Sequence, residues 1–293
     1  MERPGPKNKK LRLSRRNALR LMVYSTIALT GFAAYAQSDN LEIIRQDVPI
    51  KGLPDSLDGF SIGVMADLHA GALGNEQVIT KAVSSMQQLK PDLLTLLGDY
   101  VDGARSHNAQ NIDKCGFFFE QLELLKPPLG VYGVLGNHDH WTDSKRVTQL
   151  LNQRGITVLK DENQTLANGL VLAGIDDLWE GPGSSRKTLA GLGSEEMVVL
   201  LSHNPDVNGS LTDDDPVRLI LSGHTHGGQV RVPFTQWAPW VPCSPRYRGR
   251  TGLFAETEKR WGFISKGVGS FLMPMRLSCP PDIALLTLKR VKT

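Results

Sequence analysis

From Gly59 onward, short apolar runs alternate with stretches whose apolar residues recur every three or four positions. The first pattern reads as strand and the second as amphipathic helix. Strands are predicted at Phe60–Met65, Leu93–Leu97, Gly130–Leu135, Leu170–Ile175, Met197–Leu201 and Arg218–Leu221, with Gln229–Val232, Gly262–Lys266 and Ile283–Leu288 completing the series. Leu93–Leu97 is nearly continuous in its apolar character, as in a strand buried on both faces. Between the strands, Glu76–Leu89 gathers Val78, Ile79, Ala82, Val83, Met86 and Leu89 on one face, with Asn75 positioned as a cap. Ile112–Leu125 similarly turns Phe118, Phe119 and Leu122 inward as core packing, and Ser144–Arg154 follows the capping residue Asp143. No internal repeat, low-complexity tract or long linker interrupts this alternation, which predicts one α/β domain with a mixed sheet over residues 40–293.

The first 36 residues follow a different rule. Residues 1–20 hold eight basic side chains and one acid, Leu21–Ala36 carries no charge, and everything after Ala36 sums to −4 within an overall +3. The uncharged run falls short of the roughly 20 residues that a bilayer span needs. Ala34-Tyr35-Ala36 has the small-x-small form of a signal-peptidase site, and Ser14-Arg15-Arg16-Asn17-Ala18-Leu19-Arg20 resembles a twin-arginine export motif, departing from it at Ala18 and Arg20. Residues 1–36 are therefore expected to be an export signal handled by the twin-arginine (Tat) machinery, delivering the domain to the periplasm or the outer face of the bacterial inner membrane. The alternative is an uncleaved anchor through residues 21–36, which would keep the domain membrane-associated. A slightly acidic body argues against a general nucleic-acid binder, which needs a positive surface field. Three cysteines, Cys115, Cys243 and Cys279, lack metal-site spacing; they allow a Cys243–Cys279 bridge or free buried thiols.

Five short polar clusters follow apolar strands: Asp67-Leu68-His69, Gly98-Asp99-Tyr100-Val101-Asp102, Gly136-Asn137-His138-Asp139, Ser202-His203 and Gly223-His224-Thr225-His226. Open α/β sheets place their sites at the carboxyl ends of strands, and glycine lets the chain turn sharply there. Of seven histidines, five (His69, His138, His203, His224 and His226) fall in these clusters, which is why the set is read as a dinuclear metal site and not as scattered turns. Residues two apart on extended chain share a side, so Asp67 and His69 are expected to face one centre together, as are His224 and His226. The mix of carboxylate, imidazole and amide donors suits Mn²⁺, Fe or Zn²⁺. His107 and His140 are read as loop residues.

In this order the clusters resemble the calcineurin-like metallophosphoesterase superfamily, over about Gly59 to Gln229. The flanks Val48–Gly59, His226–Pro233 and Gly267–Leu288 resemble its bacterial YaeI/YkuE-like branch. The resemblance implies a four-layer αββα sandwich, two mixed β-sheets between helices, with the metals at one rim. It implies Asp67, His69 and His226 on one ion, Asn137, His203 and His224 on the other, and Asp99 bridging both. The implied reaction is hydrolysis of a phosphodiester by in-line attack of a hydroxide activated between two divalent cations. His138 would donate to the leaving group, with Asp139 orienting it, and Asp102 would orient ligands. Competing readings are a pyrophosphatase of the UDP-2,3-diacylglucosamine type acting on a nucleotide-linked lipid precursor, a phosphomonoesterase, and a catalytically inactive metal-binding envelope protein. Pro233–Arg250, rich in Trp and Pro and ending in three arginines, is either a wall of the pocket or a surface loop.

Overall fold

The computed structural model describes residues 15–103, 112 and 115–291. Helix α1 (Arg15–Gln37) precedes β1 (Glu42–Ile50) and β2 (Ser61–Met65). Among the described residues no helix is long and apolar enough to cross a membrane. There follow α2 (Asn75–Leu89), β3 (Leu93–Leu97), α3 (Gly116–Leu122), β4 (Val131–Val134), α4 (Asn137–Thr142), α5 (Ser144–Asn152), β5 (Ile156–Val158), β6 (Glu162–Thr165), β7 (Val171–Gly174), α6 (Ser185–Thr188), β8 (Val198–Leu201), β9 (Val217–Ser222), β10 (Gly252–Ala255), β11 (Trp261–Ile264) and β12 (Asp282–Arg290).

The strands form two six-stranded sheets, ordered β1-β12-β2-β3-β4-β5 and β10-β11-β9-β8-β7-β6. Neighbours β2, β3, β4 and β5 run parallel, as do β11, β9, β8 and β7; antiparallel pairs join β12 to β2, β10 to β11 and β6 to β7. Strand periodicity builds the layers. In β3, Leu93 and Leu97 face the second sheet, whereas Leu94 and Leu96 face the helices. In β8, Val199 and Leu201 meet the first sheet, and Val198 and Leu200 point to the outside. Helices α2, α3 and α5 cover the first sheet through Val83, Phe119 and Val147. The second sheet's outer face is closed more thinly, by Val207 of a short 3₁₀ turn with Leu189 and Leu192. The expected four-layer sandwich of two mixed sheets is thus present.

Some local expectations need correction. Gln229–Val232 is not a strand: Gln229 has φ 53°, and only Val230 makes a lone bridge, to Leu277. Asn75 does not cap α2, since Gly74 holds that place; its side chain instead donates to the carbonyls of His69 and Ser270 and accepts from the Ser270 amide. The predicted helix Ile112–Leu125 is described only at 112 and over 115–125, and there α3 covers Gly116–Leu122. Asp143 does cap α5, accepting from the Arg146 amide. Cys243 and Cys279 are free thiols and not a bridge; Cys279 and Cys115 are buried, and the Cys115 thiol donates to the Ala70 carbonyl. His107 lies outside the described residues.

Candidate metal centre

Strands β2, β3 and β4 of one sheet and β8 and β9 of the other end at a common rim, and each of the five polar clusters follows one of these ends. The side chains converge, but not by lying on extended chain. Asp67, His69, Asp99, His224 and His226 have φ of 50°, 44°, 51°, 66° and 48°, a left-handed conformation uncommon outside glycine. Each turn redirects one side chain, so His224 and His226 serve two neighbouring groups instead of one. Such strain persists where the surroundings enforce it, and functional sites are where it gathers. The fit is close: a Cβ on Gly223 would stand 2.5 Å from Asp67 Oδ2, and the His224 amide donates to Asp67 Oδ1 at 2.8 Å.

Two donor groups draw on both sheets, and a third, made of His69, Asp102 and His138, overlaps the first. Asp67, His69 and His226 form the first, and Asp99, His203 and His224 the second, each with donor atoms within 4.8 Å of one another. Asn137 joins the second group, its Oδ1 3.2 Å from His203 Nε2. Asp99 Oδ2 lies between the groups, 3.2 Å from His203 Nε2 and 3.6 Å from His69 Nε2, while its Oδ1 accepts from the His138 amide. His203 Nδ1 lies 2.7 Å from the Leu97 carbonyl, which can only accept, so Nδ1 carries a proton and Nε2 is the nitrogen that faces the centre.

The donor spacing fits cations. His69 Nε2 and His226 Nε2 are 3.0 Å apart, as are His224 Nδ1 and His203 Nε2. Two metal–nitrogen bonds of about 2.1 Å meeting near a right angle would set their nitrogens about 3 Å apart. Oxygen and nitrogen donors without thiolate suit hard or borderline divalent ions. All of these donors are buried.

Burial and mutual charge shape the protonation of the polypeptide. Burial pushes Asp67 up to about 6. Burial also works against ionised Asp99, yet the imidazoles of His203, His138 and His69 hold it well below the usual carboxylate range. His203 is disfavoured as a cation by burial but is carried to about 10 by Asp99 and Asp67. Burial, reinforced by the nearby His203, pushes His224 down to about 3. His138 falls to about 4, chiefly through burial.

His138 sits beside the donors, its ring 4.6 Å from that of His69 and packed against Trp141 and Phe271. Asp139 does not orient it. The Asp139 carboxylate accepts from the backbone amides of Tyr100, Val101 and Gly136, fixing the turns that carry Asp99 and Asn137, and burial raises it to about 7. Asp102 is the carboxylate near both rings, its Oδ1 3.6 Å from His69 Nδ1 and 3.8 Å from His138 Nδ1. His140 pairs with Asp176 at 2.8 Å.

A cavity of about 230 Å³ opens over the donors, walled by Trp141, Trp179, Trp240, Phe271 and Met273. Pro233–Arg250 therefore contributes a wall through Trp240, but Arg246 is turned to Glu256 at 2.6 Å. The sequence reading missed Trp179, whose ring meets His224 edge-on at 4.4 Å, and Trp141. Both carried a signal: Asp176-Asp177-Leu178-Trp179 follows the end of β7 like the other clusters, and Trp141 lies three residues beyond His138 on one helix.

Residues 60–228 match the family model described as calcineurin-like phosphoesterase. The phosphodiesterase YaeI of Escherichia coli (strain K12) is 32% identical, across 94% of this chain and 99% of that protein. The uncharacterized metallophosphoesterase YkuE of Bacillus subtilis (strain 168) is 30% identical, across 88% and 89%. A transmembrane protein with metallophosphoesterase domain from Danio rerio is 29% identical over 94% of this chain, which spans 63% of that longer protein. With its two-sheet sandwich and its strand-end carboxylates and imidazoles, the chain belongs to the calcineurin-like phosphoesterases.

Proposed function

We propose that the protein is a dinuclear metal-dependent phosphodiesterase. The observation that carries this reading is the position of Asp99 Oδ2 between two donor groups drawn from both sheets. Asp67, His69 and His226 would hold one divalent ion and Asn137, His203 and His224 the other, with Asp99 shared. When bound, such a pair of cations supplies positive charge to the phosphoryl oxygens and lowers the pKa of a shared water.

The chain's own residues do the rest. The Leu97 carbonyl fixes the His203 tautomer, and the Asp67 carboxylate is held in place by the His224 amide. His138 faces the cavity and donates a proton toward the departing oxygen. An anionic phosphoester beside it raises its proton affinity from the low value that burial imposes. Asp102 orients both His69 and His138. The aromatic walls exclude bulk water around the reacting phosphorus and strengthen these electrostatic contacts.

Residues 1–36 are proposed as an export signal or membrane anchor preceding a catalytic domain over 40–293; the basic run and the uncharged stretch after it support this. A protein start at Gln37 in cells would establish cleavage. The activity test is hydrolysis of bis-p-nitrophenyl phosphate and p-nitrophenyl phosphate after chelation and Mn²⁺ addition. Metal-restored turnover that favours the diester is expected. Metal uptake without turnover of either compound would overturn the enzymatic reading, and preference for the monoester would overturn the diesterase assignment.

A further inference from the structure

We infer that the face around the mouth of the cavity docks on an anionic phospholipid bilayer. Two loops make this face, at 230–240 and 271–277. They are fastened together: Gln229 Nε2 donates to the carbonyls of Phe271 and Met273, and Val230 bridges Leu277. Their tips carry large apolar side chains turned to solvent. Phe234 is fully exposed, Leu272 80%, Trp240 62%, Met273 58% and Trp237 54%. Leu73, 81% exposed, extends the patch, since its neighbour Gly74 packs on Pro274. Phe234 and Leu272 have φ of 64° and 62°, a conformation that costs bulky residues energy and gains them no interior packing here. A contiguous apolar surface of this kind marks an interaction site.

Charge selects the partner. No Asp or Glu occurs between Asp215 and Glu256, or between Glu258 and Asp282, so both loops lack carboxylates although the body of the chain is acidic. Arg248 and Arg250 are exposed, and Gly249 between them packs on the carbonyl of Gln236, the residue before Trp237, while the Arg250 guanidinium lies over the Phe254 ring. Tryptophans and arginines around apolar tips match a bilayer interface, where rings and guanidinium groups lie at headgroup level while aliphatic tips enter the acyl boundary. Cationic side chains near an anionic leaflet add to that attraction.

Topology places the N-terminal helix at the same end. The parallel strands β2, β3 and β4 point their carboxyl ends at the site. β12 is antiparallel to β2, and β1 is parallel to β12, so β1 begins at the site rim. Gln37 at the end of α1 accepts from the Ser278 amide at 2.8 Å, next to the apolar loop. The last turn of α1 therefore lies at the end of the molecule on which the cavity opens.

The inference does not depend on catalysis, so its test is binding. Full-length protein is floated with vesicles of phosphatidylcholine and phosphatidylglycerol at 3:1, at 0.1 M and 0.5 M NaCl, alongside Phe234→Asp/Trp237→Asp and Leu272→Asp variants. Wild-type protein is expected to bind with a component that persists at high salt, and each variant to bind at least tenfold more weakly there, as removal of one or two membrane-buried apolar side chains demands. Brominated lipid is expected to quench wild-type tryptophan fluorescence. Phe234 and Trp237 stand outside the cavity, so that variant should turn over bis-p-nitrophenyl phosphate like the wild type, which separates loss of docking from loss of fold. Variants that bind as the wild type does would overturn the inference, as would binding abolished wholly by salt. A concentration-dependent dimer lost in the variants would overturn it too, by assigning the face to a second copy of the chain.

Discussion

Replacing His138 by Gln separates proton donation from metal binding. The substitution preserves the backbone amide that donates to Asp99 Oδ1 and the carbonyl that accepts from Thr142 Oγ1, so the turn carrying Asn137 should stay in place. It removes an imidazole that packs at 4.6 Å on His69, 4.5 Å on Trp141 and 5.1 Å on Phe271. Ring contacts of this kind contribute about 0.5–1.5 kcal/mol each, so the three together set a stability loss of about 1.5–4.5 kcal/mol, lowering Tm by several degrees. Loss of a general acid should reduce kcat by about 10²–10⁴, or about 3–5 kcal/mol of transition-state stabilisation. The defect should shrink on p-nitrophenyl esters, whose leaving group needs little protonation, and grow on alkyl diesters. The assay pairs kcat on both substrate types with metal content by atomic emission on the same sample. Loss of one metal equivalent would make His138 a ligand, and equal defects on both substrates would refute its role as donor.

Other consequences follow from the same geometry. Asp99→Ala, which removes the oxygen shared by the two groups, should abolish turnover and reduce metal content below one equivalent, read by activity and atomic emission. Gly223→Ala sets a methyl 2.5 Å from Asp67 Oδ2 and should weaken retention of the ion held by Asp67, His69 and His226 before it unfolds the protein; chelator competition measures this. Metal affinity should rise with pH, because protons on Asp67 (about 6) and His203 (about 10) must leave as ions bind. Below pH 6 both groups are protonated and binding is weakest. Above pH 6 Asp67 is ionised and proton release comes from the imidazoles, His203 and also His69, which despite burial is held above its usual value by Asp102 and Asp99, so the dependence becomes shallower; titration calorimetry in buffers of different ionisation enthalpy counts the protons. Asp102→Asn should keep both ions but lower kcat, since it leaves the donors intact and weakens the alignment of His69 and His138; retained metal with unchanged kcat would remove Asp102 from the mechanism.

The sequence exposed the metal-binding clusters because parallel strands buried on both faces are apolar and stop abruptly where the polar site begins. Leu93–Leu97 followed by Gly98-Asp99 shows that boundary plainly, and the predicted strand matches the observed one to the residue. β1 was invisible for the opposite reason. As an edge strand it is largely exposed, carries Arg45, Gln46, Asp47 and Pro49, and lacks the alternation that marks a half-buried strand. The role of Asp139 was misread because adjacency to His138 in sequence suggested contact, whereas the first turn of α4 directs that carboxylate back onto backbone amides. Convergence of His224 and His226 was argued from extended geometry, and the left-handed turns achieve it differently. Phe271 reaches the site from a loop more than forty residues beyond the last cluster, a proximity created by β11, which runs parallel to β9 and ends at the same rim.

The donor groups each mix strands from both sheets, with Asp67 and His226 on opposite sides of the seam in one, and Asp99 and His224 in the other. Bound ions would therefore act as rivets across the sandwich. Chelation should loosen that rim first, with faster amide exchange at the ends of β3 and β9, while the seam around Val64, Leu172 and Leu219 keeps its protection until the whole molecule melts.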